Sequence, residues 1–354
     1  MRTLGALLAA VGLAVASLAA QSAKLPPGAM YGADPSYKVP RTGDGHPDLQ
    51  GVWSNNSVTP MTRPTQWKDR DVITDAELQE LKGLVAKNAE QSGDAIFQNL
   101  VQLALDTKEK GKFDQTSYDK TTGNYNQFWM AESDWDTRTS LVIDPPNGQF
   151  PPLTPEGQKR MAAFARLFNP EGDTSRYKGP EDLPLTERCL TYGAPRMGAG
   201  YNSYLQIIQS GDVVVLQQEM IHDSRIVSTV ARPHLPANVR QLHGDPRGRW
   251  EGDTLVVETT NYSDGTMMMG ASRDMRITER YTRVSPDHIN WAITVDDAAT
   301  WTKPWTFMVR LRRTDDQIYE YACHEGNYSM PGILAGARLT EKKAAALAAK
   351  KGAK

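Results

Sequence analysis

The feature that most constrains the fold is a succession of strand-like segments in the second half of the chain. Apolar, aromatic and β-branched residues recur there in short runs separated by turns such as Glu251-Gly252-Asp253 and Ser285-Pro286-Asp287. No long helical pattern interrupts the succession, which excludes the helical crossovers of βαβ units. The predicted strands are 204–208, 213–220, 225–230, 255–262, 275–284, 289–296, 306–313 and 318–323.

This many consecutive strands must protect the unpaired backbone groups at the edges of their sheet. Closure into a small barrel is the usual solution, and such a barrel can hold one small ligand. We therefore expect a mainly β protein, an antiparallel β-barrel or strongly curved meander sheet. Three to four peripheral helices and a proline-rich N-terminal arm are expected to surround it, because Thr74–Glu77 and Thr154–Glu156 are helix starts.

The N-terminus has the pattern of a secretory signal peptide. Arg2 precedes an apolar run from Leu4 to Ala16, and small residues follow at a possible cleavage site. The run is too short to span a bilayer comfortably. We expect a periplasmic or extracellular protein with a signal peptide at 1–23 and one integrated domain at 24–354. Within it we place the arm and helices at 24–188, the barrel at 189–339 and a C-terminal helix at 340–354.

Composition and motifs exclude several classes of function. The chain has 40 basic and 42 acidic residues, so it lacks the basic footprint of a nucleic-acid-binding protein. It contains no Walker loop, Rossmann fingerprint or Gly-x-Ser-x-Gly motif. We expect a small-molecule ligand or substrate and no cofactor. A divalent metal bound by residues distant in sequence stays open, as does the oligomeric state.

The chain has two cysteines, Cys189 and Cys323. An even count in an exported protein favours a disulfide. The bond would close a loop of more than 130 residues and stabilise the fold by about 4–5 kcal/mol on the chain-entropy model. The alternative is two buried thiols that never meet.

Five residues are candidates for proton transfer. Glu219, His222 and Asp223 end one predicted strand, and His243 and Asp245 lie in a loop that leads into another. Histidine is the natural proton shuttle near neutral pH, and a carboxylate can orient it. The competing interpretations are a polar strand edge for the first group and ordinary turn chemistry for the second.

A second set of residues is predicted to bind substrate. Glu279 alternates with apolar residues on its strand, so it is either functional or paired with an inner arginine such as Arg283. Arg249 is expected to clamp an anion or to pair with Glu251. The tryptophans stack on a ligand in one interpretation and pack in the core in the other. The full set is Arg249, Glu279, His324, Trp129, Trp291, Trp301 and Trp305.

Five segments of the sequence carry a family resemblance, at 40–53, 138–146, 247–260, 294–305 and 319–327. They read PRTGDGHPDLQGVW, RTSLVIDPP, RGRWEGDTLVVETT, TVDDAATWTKPW and YEYACHEGN. Together they resemble a family of uncharacterised exported bacterial proteins over nearly the whole mature chain. The resemblance implies one integrated domain and brings no catalytic residues. The C-terminal half also resembles lipocalins, by analogy of fold alone.

These observations support three hypotheses. The first is an exported enzyme that acts on a small, partly apolar organic molecule by lyase, isomerase or hydrolase chemistry. The second is a non-catalytic periplasmic protein that binds a similar ligand, and the third is a structural envelope protein. An enzyme should place a histidine and a carboxylate within hydrogen-bond reach, whereas a carrier needs only a mainly apolar pocket.

Overall fold

A computed structural model describes residues 28–91, 99–112, 132–168, 177–197, 200–265 and 268–352. Its centre is a closed, mostly antiparallel β-barrel of nine strands. The strands of the chain are β1 (Gly51–Ser54), β2 (Val142–Asp144), β3 (Tyr204–Ser210), β4 (Val213–Gln218), β5 (Ser224–Ser228), β6 (Asp245–Glu251), β7 (Thr254–Thr260), β8 (Arg276–Ser285), β9 (His288–Asp296) and β10 (Trp305–Thr314).

The strands from β3 to β10 are paired in chain order, and a strand of the N-terminal arm closes the barrel. β1 pairs with β3 on one side and with β10 on the other, with Trp53 opposite both Leu205 and Arg313. All pairings around the barrel are antiparallel except that of β5 with β6, which meet in parallel at Ser228 and Arg247. The short strand β2 adds to β10 outside the ring.

Side chains fill the barrel interior. Alternate residues of each strand point inward, as pleated strands require, and form one cluster. Its largest fully buried members include Trp53, Trp291, Trp305, Tyr281 and Phe307. Trp291, Trp301 and Trp305 are all buried in the core, which agrees with the core-packing interpretation of these side chains and not with stacking on a ligand.

The described residues form four helices, α1 (Asp75–Gln91), α2 (Leu100–Lys110), α3 (Pro155–Phe168) and α4 (Ser329–Gly352). The predicted capping box opens α1, where the Glu77 backbone N–H donates to Thr74 Oγ1 over 3.2 Å and the Thr74 N–H donates to Glu77 Oε2 over 2.8 Å. α1 and α2 share a small apolar cluster around Leu81 and Val101. α4 packs through Ala337 against Tyr177 and Leu183.

The structure corrects the predicted elements at four places. The segment 318–323 is not a strand, and α4 begins at Ser329 rather than at 340. β6 was predicted as a loop, yet it pairs along its whole length with β7. The sheet was predicted as an antiparallel meander, and it contains one parallel pairing, which is reached through the extended connection at 229–244 rather than through a helix. The predicted signal peptide and Trp129 lie outside the described residues.

Candidate active site

One end of the barrel collects three polar side chains from three separate segments. Asp223 follows a tight turn at Met220–His222, where β4 passes into β5. Its backbone carbonyl accepts from the Gln218 N–H over 2.8 Å, so the two residues lie opposite each other. His243 arrives just before β6, and Thr191 comes from the segment after Cys189. We call this region the Asp223 end.

Asp223, His243 and Thr191 form one hydrogen-bonded group. Thr191 Oγ1 donates to Asp223 Oδ2 over 2.7 Å and lies 2.9 Å from His243 Nε2. His243 Nε2 lies 3.3 Å from Asp223 Oδ1. The Gly193 N–H also donates to Thr191 Oγ1, over 2.7 Å. The hydrogen-bonding capacity of this hydroxyl is therefore fully used, and Thr191 is not an available nucleophile.

The geometry selects one form of the histidine ring. Because the single Thr191 hydroxyl proton goes to Asp223, the short contact to His243 requires Nε2 to be the protonated nitrogen and the donor. Among the described residues, none forms a hydrogen bond with Nδ1. The carboxylate thus holds the ring by one nitrogen and leaves the other as a proton acceptor, the arrangement typical of an oriented general base.

A buried arginine lies beside this group. Arg196 is 5% exposed, and its Nη1 donates to the Asn202 carbonyl over 3.1 Å. No acceptor among the described residues lies within hydrogen-bond distance of Nη2. Burial lowers the pKa of this guanidinium, while the charge of Asp223 and neighbouring tyrosines opposes the shift. A buried cation with an unused donor is a ready binding point for an anionic oxygen.

Tyrosines surround Arg196. Its guanidinium carbon lies 5.1 Å from the centre of the Tyr192 ring, and the Tyr192 backbone N–H donates to Asp223 Oδ2 over 3.4 Å. Burial raises the pKa of Tyr192, and Tyr321 and Tyr201 add to the shift. The phenol therefore stays protonated at neutral pH, and it is hydrogen-bonded to Tyr321.

Unusual backbone conformations concentrate at this end. Seven described residues other than glycine have a positive φ, and six of them lie in its connections. Ile221, at φ 56°, is the clearest case, because a β-branched residue rarely adopts this conformation. Such strain persists only where the surrounding structure enforces it, and it is common at functional sites. The six residues are Cys189, Asn202, Ile221, His222, Asn261 and Met269.

The predicted disulfide is present at the same end. Cys189 and Cys323 are bonded, with a Cα–Cα distance of 5.6 Å. The bond ties the segment that carries Thr191, Tyr192 and Arg196 to the chain that follows β10. It therefore links the candidate site covalently to the C-terminal part of the fold.

A second polar group lies deeper in the barrel, and its hydrogen bonds are all made within the protein. Arg225 donates to both carboxylate oxygens of Glu279, over 2.5 and 2.9 Å, and Tyr281 and Trp291 donate to Glu279 Oε1. Burial alone would lower the pKa of Arg225, but Glu279 raises it above its usual value. Glu279 thus pairs with an inner arginine, one of the two interpretations that the sequence left open, but the partner is Arg225 rather than Arg283. Its carboxylate is fully occupied within the core.

Two of the predicted catalytic residues lie away from the histidine–carboxylate pair. His222 is exposed on the turn, which directs its side chain to solvent. Glu219 is buried, and its carboxylate accepts from the backbone N–H groups of Tyr319 and Tyr204, over 3.1 and 3.4 Å. Glu219 therefore anchors the chain after β10 rather than joining His243.

Asp245 belongs to a different cluster. Its carboxylate lies 3.0 Å from His234 Nδ1 and 2.8 Å from Arg247 Nη2, whereas His234 Nε2 lies 3.1 Å from Glu258. Both ring nitrogens of His234 are thus engaged within this cluster. The hypothesis that Asp245 orients His243 is wrong.

The other predicted binding residues do not meet at this end either. Arg249 pairs with Glu251 over 2.8 Å, the alternative that the sequence left open. His324 is exposed in the loop after the disulfide.

Sequence reasoning missed Thr191, Tyr192 and Arg196. The available signal was their position directly after Cys189, in a segment with Gly193 and Pro195 that cannot form a regular helix. That signal marks a loop near a disulfide but does not identify its partners.

The described residues contain no group of three histidine, cysteine, aspartate or glutamate side chains arranged to hold a metal ion. None of the helices in the described part of the chain has the length and apolar character that a membrane span requires. Comparisons with protein-family models, curated proteins and solved structures gave no match.

Proposed function

We propose that this protein is an exported enzyme that acts on a small, partly apolar organic molecule by acid–base chemistry. The observation that carries the proposal is the contact of His243 Nε2 with Asp223 and Thr191, which leaves Nδ1 as a proton acceptor. In this proposal His243 is the general base. Asp223 is a positioning residue that also stabilises the imidazolium formed after proton transfer.

The neighbouring groups favour substrates that carry or develop negative charge on oxygen. The unused Nη2 donor of Arg196 is suited to bind such an oxygen. Removal of a proton next to a carbonyl or carboxylate produces this charge, as in isomerases and lyases. Hydrolysis through a water activated by His243 is the other reaction that the same residues support.

Export and the likeness to lipocalins belong to the same proposal. The N-terminal signal pattern and the Cys189–Cys323 disulfide support a periplasmic or extracellular location. The barrel supports the lipocalin comparison at the level of architecture, although its interior is filled by side chains.

The test is proton exchange catalysed by the mature protein in deuterated water. Small keto acids, unsaturated carboxylic acids and esters are incubated with it, and loss of proton signals and product formation are followed by NMR. We expect His243→Gln to reduce the rate by about 10²–10⁴-fold, the usual contribution of a general base. His222→Gln is the matched control, because this exposed neighbour lies outside the site.

Equal rates for wild type and His243→Gln on a reacting substrate would contradict the proposal. If no compound reacts but one binds, the second candidate function, a non-catalytic binding protein, is favoured. One observation supports that alternative: the buried amide of Gln218, opposite Asp223, has no partner at either polar atom among the described residues. A bound polar ligand would satisfy it.

A further inference from the structure

A separate cleft lies on the outer surface of the barrel. It has a volume of about 180 Å³ and is bounded by β9, β10, α1 and the segment at 132–136. Arg310 and His288 face it because they alternate with the inward-pointing Val309 and Ile289. We call it the Lys82 cleft; its lining is Ser57, Lys82, Glu132, Ser133, Asp134, Trp135, Asp136, His288, Arg310 and Arg312.

The carboxylates of the cleft already have cationic partners. Asp134 accepts from Arg312 Nε over 2.5 Å, and Glu132 accepts from Arg312 Nη2 over 3.1 Å. Asp136 accepts from Arg138, over 2.7 and 3.1 Å. Each carboxylate of the cleft thus has an arginine partner, although Asp134 and Glu132 share Arg312.

Two cations of the cleft remain without a carboxylate partner among the described residues. Lys82 Nζ lies 5.9 Å from the centre of the Trp135 ring, and Arg310 lies 5.8 Å from that of Tyr31. Arg310 Nε is buried and has no hydrogen-bond acceptor. A Cβ at Gly32 would come within 3.0 Å of Arg310 Nη2, so glycine lets the guanidinium lie flat against the backbone.

The imidazole of the cleft, His288, is uncharged at neutral pH. Burial and the charge of Arg310 lower the pKa of His288. Its Nδ1 lies 3.1 Å from the Ser285 hydroxyl. The ring can therefore take part in hydrogen bonding without adding a third positive charge.

Size and charge together define the ligand. A volume of about 180 Å³ is enough for a small organic anion. Lys82 and Arg310 have no carboxylate partner among the described residues, and guanidinium and ammonium groups are the usual phosphate ligands in proteins. Trp135 offers an apolar wall for the organic part. We propose that the Lys82 cleft is a second binding site, and that it takes a small organic phosphate.

The test is calorimetric titration of the mature protein with phenyl phosphate. We expect Lys82→Met to weaken binding about tenfold or more, the usual effect of losing a charged hydrogen bond. Lys87→Met is the matched control, because this exposed lysine lies on the same helix outside the cleft. His243→Gln should leave binding unchanged, which separates this site from the proposed active site.

Two further ligands test whether the cleft prefers phosphates to other anions. Inorganic phosphate should compete with phenyl phosphate, and benzoate, a monoanion with the same ring, should bind at least several-fold more weakly. The proposal is overturned if wild type does not bind phenyl phosphate at millimolar concentration, if Lys82→Met binds as tightly as Lys87→Met, or if benzoate binds as tightly as phenyl phosphate.

Discussion

The barrel holds two polar groups that differ in how completely they are bonded. In the interior, Arg225 and Glu279 are fully buried, and every carboxylate contact is made by the protein. At the Asp223 end, His243 is partly exposed, its Nδ1 has no partner among the described residues, and Arg196 keeps an unused donor.

The difference shows that burial of charge does not by itself indicate a functional site. A buried carboxylate such as Glu279 is tolerated because its partners replace the water it lost. A catalytic side chain must instead be held in place by one of its polar atoms while another stays available to the substrate. In His243, Nε2 is held and Nδ1 is available. The alternating pattern of β8 pointed to Glu279, whereas only the contacts distinguish the two groups.

The largest expected effect comes from removing the disulfide that holds the Asp223 end. The double variant Cys189→Ala/Cys323→Ala should lose about 4–5 kcal/mol of unfolding free energy, because the bond closes a loop of 134 residues. Urea denaturation measures the loss, and reduced wild type is the control. A variant as stable as oxidised wild type would show that this end is held by packing alone.

The next largest loss of unfolding free energy is expected from breaking the buried Arg225–Glu279 pair in the barrel interior. Glu279→Gln should cost about 3–5 kcal/mol, because Arg225 is then a buried charge without its partner. Glu341→Gln, which breaks an exposed pair with Arg338, should cost about 1 kcal/mol or less. Chemical denaturation measures the unfolding free energy of both variants. Similar losses would contradict the claim that Arg225 depends on Glu279 as its buried partner.

A smaller loss of unfolding free energy is expected from changing Thr191 at the Asp223 end. Thr191→Val should cost about 1–3 kcal/mol, because it removes the buried hydroxyl that Asp223, His243 and the Gly193 N–H share. Thr191→Ser keeps the hydroxyl and serves as the control. Nitrogen NMR of the His243 ring should show protonation at Nε2 in wild type and Thr191→Ser. Protonation at Nδ1 in wild type would refute the assigned tautomer.

The smallest effect on stability concerns Glu77, a carboxylate of α1 that lies outside the barrel and is partly exposed. Hydrogen bonds from Arg70 and Thr74 lower the pKa of Glu77 from 4.5 to about 2. Because the folded-state pKa lies below the unfolded value, the contribution is present at neutral pH and is lost as the pH falls from about 4.5 to about 2. The stability difference between wild type and Glu77→Gln should shrink over that interval, and a constant difference would contradict it.

Much of the barrel was predictable because its strands are local patterns. The segments that became β3, β4, β5 and β7 to β10 were identified from alternation and turns. β6 was missed because Gly248 and several charged residues interrupt its apolar pattern, and it forms through pairing with β7. The segment at 318–323 has a strand-like composition, but it lies beside no strand with which its backbone could form hydrogen bonds.

The candidate site was predictable only in part. Asp223 and His243 were selected by residue type, yet their proximity depends on a turn with positive φ at Ile221 and on the arrival of the chain before β6. The expected partner of His243 was Asp245, two residues away. Gly244, with φ 71°, turns the chain between the two residues, and Asp245 instead meets His234.

The sequence by itself determined the mainly β architecture, the helix starts, the two cysteines that pair and the types of residue able to transfer a proton. These follow from local periodicity, capping and composition, which act over a few residues. Tertiary structure decided the closure by β1, the parallel contact of β5 with β6, and the meeting of Thr191, Asp223 and His243. Those outcomes depend on contacts between segments far apart in the chain, and hydrogen-bond partners are chosen only once the barrel has brought them together.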